Sequence, residues 1–91
     1  MRLKITKGAK KFGYIIWNNK HASQIESMLG DRNAVDVVFN GFSLGQKNID
    51  RKYHRISLGY KLTRALPENH NTFSVTMNNN ILEVKSLHVK Y

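Results

Sequence analysis

Apolar and polar residues alternate along several short stretches of this chain, and alternation with a period of two is typical of strands with one buried face. The alternating stretches are residues 2–6, 35–39, 73–77, 82–84 and 87–91. Asn40-Gly41 follows the second stretch and Asn78-Asn79-Asn80 follows the third, and such turns favour β-hairpins. The pattern predicts two hairpins, an opening strand and a closing strand at 87–91 that is placed to pair with the opening one.

Two helices are predicted from apolar residues spaced three or four positions apart. The first begins after Asn18 or Asn19, which are good N-cap residues, and ends at Gly30. The second opens at Gly59-Tyr60 and ends at Pro67. The apolar stripes are Ala22, Ile25, Met28 and Leu29 in the first helix and Leu62, Ala65 and Leu66 in the second. We expect these stripes to face the core.

The chemistry of residues 10–17 is repeated at residues 51–58, which lie 41 positions later. In each copy two cations precede an aromatic residue, a turn-competent residue and a run typical of a strand. A helix and a hairpin follow in both halves, at offsets of 37 and 38 residues. The repeat predicts one α+β domain over residues 1–91, built from two strand-helix-hairpin units at residues 1–46 and 47–91.

Charge is the strongest feature of the composition. Fifteen Lys and Arg residues against six Asp and Glu residues give a net charge of +9, which favours an anionic partner. The chain has no cysteine and no apolar run of about 20 residues, and we expect a cytoplasmic protein without a membrane span. Five aromatic side chains at strand positions are expected in the core: Tyr14, Trp17, Phe39, Phe42 and Phe73.

No catalytic, metal or cofactor site is predicted. The carboxylates are dispersed singly, and no Ser or Thr lies in a nucleophile or phosphate-loop motif. The four histidines are far apart in the sequence, without ligand spacing: His21, His54, His70 and His88. We therefore expect a protein that is not an enzyme and that uses no cofactor.

The order of strand, short helix and hairpin resembles the swapped-hairpin DNA-binding superfamily of AbrB, MazE and MraZ. The second half carries the resemblance in Ile49-Asp50, Arg55-Ile56-Ser57-Leu58 and the helix at 62–66, and the first half in Gly13, Ile15-Ile16-Trp17 and the helix at 25–30. Asn18 and Gly59 stand where the family has proline. The resemblance implies two units interleaved into one small β-barrel-like body with two short helices, as a monomeric pseudo-dimer or a homodimer.

Residues 7–11 and 45–50 are polar and predict two exposed basic loops. Nine cations in or near these loops and on the second helix are candidates for contact with double-stranded DNA: Lys7, Lys10, Lys11, Lys47, Arg51, Lys52, Arg55, Lys61 and Arg64. Phe12 and Tyr53 lie among them and are placed to contact sugar or base. Arg51, Lys52 and Arg55 are expected to contribute more than Lys10 and Lys11, because guanidinium groups make bidentate contacts.

Two functions are consistent with this pattern. The first is a small DNA-binding protein that regulates transcription through two pseudo-equivalent basic loops. The alternative is a non-enzymatic interaction protein, for example one carried by a phage, that binds the acidic surface of a protein partner and modulates it. Both hypotheses use the same cations, so the sequence leaves them open.

Overall fold

A computed structural model describes residues 1–89 as an α+β protein with seven strands and three short helices. The strands are β1 (Arg2–Lys4), β2 (Tyr14–Ile16), β3 (Ala34–Phe39), β4 (Phe42–Asp50), β5 (Arg55–Ser57), β6 (Thr72–Asn78) and β7 (Ile81–Leu87). The helices are α1 (Lys7–Phe12), α2 (Asn19–Leu29) and α3 (Tyr60–Arg64). The α+β class is confirmed, and α1 adds a third helix to the two that were predicted.

The seven strands form one nearly closed, barrel-like sheet in the order β1-β6-β7-β3-β4-β5-β2. Neighbouring strands are antiparallel except β3 and β7, which are parallel. Within residues 1–89 the two chain ends do not pair as strands: β1 pairs with β6, which places Leu3 opposite the buried Phe73. Of the closing strand predicted at 87–91, Leu87 ends β7, and residues 90–91 lie outside the described part of the chain.

Both predicted hairpins are confirmed. Asn40 and Gly41 connect β3 to β4 with φ angles of 47° and 85°, and Asn79 and Asn80 connect β6 to β7 with 52° and 66°. Positive φ at both central residues is the requirement of a type I′ turn. The strands and helices enclose a core of Leu3, Ile15, Trp17, Ile25, Leu29, Val35, Val37, Phe39, Ile56, Leu58, Phe73, Val75, Leu82 and Val84.

The loop predicted at residues 45–50 is wrong, because β4 continues to Asp50. This polar segment is held as a strand from both sides: Asn48 lies opposite Ala34 in β3, and Ile49 lies opposite Ile56 in β5. Paired backbone groups stabilise a strand even where its side chains are polar. In the second copy of the repeat, residues 51–54 form the turn into β5, so the strand begins at Arg55.

Helix α2 follows its prediction closely. The Asn18 side chain accepts a hydrogen bond from the His21 N–H at 3.3 Å, and Ile25 and Leu29 are buried. Helix α3 differs in detail, because Thr63 is its buried residue, whereas Ala65 is exposed. Leu62 and Leu66 are only partly buried against the core. None of the helices in residues 1–89 has the length and apolarity needed to cross a membrane.

The order of strand, helix and hairpin occurs twice, as β2-α2-β3-β4 and as β5-α3-β6-β7. Strands β2 and β5 pair antiparallel with Ile15 opposite Ile56, and the 41-residue offset makes these two residues equivalent. Self-pairing of equivalent residues is what a two-fold axis produces. The β3–β7 and β4–β5 pairings have no counterpart under that axis in the described sheet.

Candidate nucleic-acid interface

The first predicted basic loop is a helix. Thr6 caps α1 by accepting a hydrogen bond from the Ala9 N–H at 3.0 Å, and Gly13 ends the helix with a φ of 79°. Ala9 is 2% exposed, so one side of α1 is buried while Lys7 and Lys11 remain exposed. The loop prediction is wrong because a single buried alanine gave no visible apolar stripe.

Helix α1 packs against α3, and Gly13 makes this possible. Its carbonyl oxygen accepts hydrogen bonds from the N–H groups of Leu58 at 2.6 Å and Gly59 at 3.1 Å. A Cβ atom at Gly13 would lie 2.3 Å from the backbone nitrogen of Tyr60, which is closer than atoms approach in real structures. The C-terminal end of α1 and the start of α3 are therefore held in direct backbone contact.

Two side chains of α3 continue this contact. The Thr63 hydroxyl is completely buried and donates a hydrogen bond to the Lys10 carbonyl oxygen at 2.7 Å. The Arg64 Nε donates to the Lys11 carbonyl oxygen at 3.0 Å. These bonds satisfy carbonyl groups at the end of α1 that have no partner within the helix. Residues more than 50 positions apart in sequence are thereby fixed side by side.

The packing brings cations from both halves of the chain together. Lys7, Lys10, Lys11 and Arg64 line a shallow cavity of about 290 Å³ between α1 and α3. Lys61 is exposed on the same short helix. Glu68 and His70 line a neighbouring cavity with Lys7 and Lys10. The positive charge is thus concentrated over the α1–α3 pair.

Aromatic rings lie beside these cations. Phe12 is 59% exposed, with the Lys11 Nζ 5.4 Å from its ring centroid. Tyr60 is 49% exposed, with the Arg64 guanidinium carbon 4.9 Å from its ring centroid. Cations over ring faces are attracted by the ring quadrupole. The end of α1 and the start of α3 therefore present two solvated rings, each beside its own cation.

A second group of rings and cations lies along β2 and β5. Because Ile15 and Ile56 point into the core, strand alternation turns Tyr14 and Arg55 outward. The Arg55 guanidinium carbon lies 4.5 Å from the Tyr14 ring centroid and 4.9 Å from that of Tyr53.

The Arg55 Nε also donates a hydrogen bond to the Asp50 carboxylate at 3.3 Å. The Lys52 Nζ lies 5.4 Å from the Tyr53 ring centroid. The guanidinium of Arg55 is therefore held in place from several sides, whereas Lys52 remains exposed.

The two groups meet where Phe12, Gly13 and Tyr14 follow one another in the chain. We call the whole surface the cation–aromatic strip. Its members are Lys7, Lys10, Lys11, Phe12, Tyr14, Lys52, Tyr53, Arg55, Tyr60, Lys61 and Arg64. Seven of the nine cations singled out from the sequence belong to it.

The remaining two cations are placed elsewhere. The Arg51 guanidinium pairs with the Glu26 carboxylate and donates hydrogen bonds to the carbonyl oxygens of Gly30 at 2.7 Å and Arg32 at 2.6 Å. Lys47 lies opposite the buried Val35 and so shares its face of the sheet. Arg51 therefore stabilises the C-terminal end of α2, and its terminal amino groups already donate hydrogen bonds within the protein.

The prediction of core aromatic residues is confirmed for Trp17, Phe39 and Phe73, each at most 2% exposed. It is wrong for Phe42, which is 69% exposed beside the hairpin turn. Tyr14 is half-buried and faces outward beside Arg55. Sequence reasoning missed Tyr14 and Tyr60 as surface rings, although each directly follows a glycine, at Gly13 and Gly59.

Two of the histidines, His70 and His88, lie where residues 69–70 meet residues 86–88, since His88 contacts the Asn69 carbonyl oxygen at 2.6 Å. His54 stacks on Trp17 with ring centroids 6.0 Å apart, and His70 contacts the Ser86 hydroxyl at 2.8 Å. Within residues 1–89, no three His, Asp or Glu side chains come close enough together to hold a metal ion.

No protein-family model, curated protein or solved structure matches this chain significantly. The resemblance to the swapped-hairpin superfamily therefore rests on the sequence pattern. Fold and site together define a small barrel-like α+β protein whose described residues form a basic, ring-bearing surface.

Proposed function

We propose that this protein binds nucleic acid through the cation–aromatic strip and acts as a small, non-enzymatic DNA-binding regulator. The observation that carries the proposal is the packing of α1 against α3, which gathers Lys7, Lys10, Lys11 and Arg64 around one cavity. A row of phosphates requires several cations on one surface, and their binding releases counterions from the nucleic acid. A scattered surface charge of +9 would not need this arrangement.

The acidic residues leave most of this positive charge unbalanced. Within residues 1–89, two of the six Asp and Glu side chains are in ion pairs, Glu26 with Arg51 and Asp50 with Arg55. Of the strip cations, Arg55 is the one so paired in residues 1–89, and Glu68 lies near Lys7 and Lys10. Lys11, Lys52 and Lys61 are exposed and have ammonium groups available for phosphate contact.

The proposal changes the predicted arrangement of two equivalent basic loops. Helix α1 has no counterpart before β5, and the Arg51 guanidinium is turned toward α2. We propose one composite surface instead, to which both halves contribute across the β2–β5 pair. The antiparallel pairing of β2 with β5 also supports a tandem origin for the two units, with the chain acting as a monomeric pseudo-dimer.

The alternative partner, an acidic protein surface, keeps some support from the same region. Ile16 is 37% exposed on the outer face of β2, and exposed apolar side chains are common at protein interfaces. Nucleic acid is favoured because the exposed rings Phe12, Tyr53 and Tyr60 each lie beside a cation. Rings that stack on bases next to cations that contact phosphates are the combination used to bind nucleic acid.

The test is binding of the full chain to a labelled DNA duplex, measured by fluorescence anisotropy over a range of salt concentrations. Affinity should fall steeply with salt, with a log-log slope of about 0.9 per neutralised phosphate. Lys10→Gln with Lys11→Gln should lower that slope by about 2. The matched control is Lys20→Gln with Lys85→Gln, which removes the same charge outside the strip and should leave the slope nearly unchanged.

Equal losses for the two double variants would show that net charge, and not the strip, drives binding. If the duplex does not bind while an acidic peptide does, and the Lys10 and Lys11 variant loses the peptide, the interaction-protein hypothesis takes the place of this one.

A further inference from the structure

Three of the four rings of the strip are exposed to solvent, whereas Tyr14 is half-buried. Five large apolar or aromatic side chains in residues 1–89 are open to solvent, and four of them lie on or beside the strip: Phe12, Ile16, Tyr53 and Tyr60. The fifth, Phe42, lies beside the hairpin turn between β3 and β4. None of these five side chains belongs to the buried core.

Duplex DNA gives such rings little to bind. Its bases are stacked on one another, and a protein reaches only their edges in the grooves or the phosphates outside. The faces of the bases become accessible when the nucleic acid is single-stranded, and they then stack on aromatic side chains. Binding to the phosphates of a duplex requires only cations. Exposed rings are useful only where the base faces are accessible, and they therefore favour a single strand over a duplex.

The helices offer no element suited to the major groove. Helices α1 and α3 have six and five residues, or about 9 Å and 8 Å of length, and they pack against each other. Helix α2 is longer, but its buried residues Ile25 and Leu29 hold it in the core, and its only Lys or Arg is Lys20. A recognition helix needs a free, basic face several turns long.

The strip has dimensions suited to a short single strand. From Arg55 to Gly59 the backbone extends about 13 Å at the rise of a strand. Tyr53 and Arg55 lie at one end, and Phe12 and Tyr60 lie near the other. The cations Lys11, Lys52 and Arg64 accompany the rings. This alternation of rings and cations matches a strand that exposes bases and phosphates in turn.

We infer that the strip takes single-stranded nucleic acid in preference to duplex, with Phe12 and Tyr60 as stacking platforms for bases and the neighbouring cations on phosphates. The inference rests on the proposed function and specifies its ligand. The Arg55 guanidinium lies against the Tyr14 and Tyr53 rings, and it thereby holds both rings in place beside the proposed path of the strand.

The experiment compares an oligothymidine of about 12 nucleotides with a duplex of equal length, at one salt concentration, using the full chain. The single strand should bind more tightly. Phe12→Ala and Tyr60→Ala should each weaken its binding roughly 5-fold to 150-fold, the range measured for loss of one stacking ring. Tyr60→Phe keeps the ring and should keep the affinity.

Phe42→Ala is the matched control, because it removes an equally exposed ring outside the strip and should leave the affinity unchanged. Folding of every variant is verified by the emission of the single tryptophan, Trp17, which is buried. Duplex affinity should barely respond to the ring variants, since phosphate contacts do not use the rings.

Two results overturn the inference, and they are distinguishable. If the duplex binds as tightly as the single strand and the Phe12 and Tyr60 variants change neither affinity, the proposed function stands and the single-strand preference is wrong. If neither nucleic acid binds, both are wrong.

Discussion

Gly13 is the residue on which the α1–α3 contact depends, and Gly13→Ala tests that contact directly. An L-residue at a φ of 79° costs about 1–2 kcal/mol. The added Cβ would also lie 2.3 Å, 2.4 Å and 2.7 Å from backbone atoms of Tyr60 and Gly59. Backbone atoms cannot rotate away, so the helices must separate, at a further cost of about 1–3 kcal/mol. The total is about 2–5 kcal/mol, a large part of the stability of a 91-residue domain.

The assay is urea unfolding followed by the emission of Trp17, with Gly45→Ala as the control. Gly45 has a φ of 74°, close to that of Gly13, but a Cβ added at Gly45 would have no neighbouring atom within 4 Å. Its substitution should therefore cost only the conformational part, about 1–2 kcal/mol. Where Gly13→Ala remains folded, it should also weaken nucleic-acid binding, because Lys10 and Lys11 move away from Arg64. Equal losses of stability for both alanines would refute the close approach of α1 to α3.

Burial and hydrogen bonding lead to three further predictions. Leu29→Ala should cost about 2–5 kcal/mol of unfolding free energy and Leu66→Ala roughly half as much, because Leu66 is only partly buried. Equal urea midpoints for the two leucine variants would contradict this. Arg51→Ala should lower stability by about 1–3 kcal/mol and leave DNA affinity nearly unchanged, whereas Lys11→Ala should do the reverse; greater loss of affinity in the Arg51 variant would restore the ranking expected from sequence. Gly8→Ala should raise stability by about 0.5–1 kcal/mol, since this exposed position within α1 has free space, and an unchanged or lower melting temperature would indicate that α1 is not helical in solution.

The elements that sequence predicted best are those specified by neighbouring residues. Alternation of Val35, Val37 and Phe39 followed by Asn40-Gly41 is sufficient for a hairpin, because the buried face and the turn geometry are both local. Helix α2 was equally visible from its N-cap and its apolar stripe. The order of strands was not visible, since the parallel pairing of β3 with β7 joins segments more than 40 residues apart.

Helix α1 and the end of β4 show what local pattern leaves out. Lys-Gly-Ala-Lys-Lys has weak helical character, and α1 forms with its carbonyl groups bonded to Thr63 and Arg64 of another helix. The segment up to Asp50 is polar and forms a strand because β3 and β5 pair with it on either side. In both cases the deciding partner lies far away in the sequence.

Contacts between residues far apart in sequence also decide which cations keep hydrogen-bond donors free for a ligand. Arg51 and Arg55 carry the same charge and lie four residues apart, but the donors of Arg51 are used by Glu26 and two carbonyl groups at the end of α2. Arg55 lies between two rings on the outer face of the barrel. The Nε of Arg55 is bonded to Asp50, but within residues 1–89 its terminal amino groups have no hydrogen bond to the protein and remain available to a phosphate, whereas those of Arg51 are used. The strip is therefore a product of the β2–β5 pairing and of the Gly13 contact, which bring together the cations and rings through which we propose that nucleic acid binds.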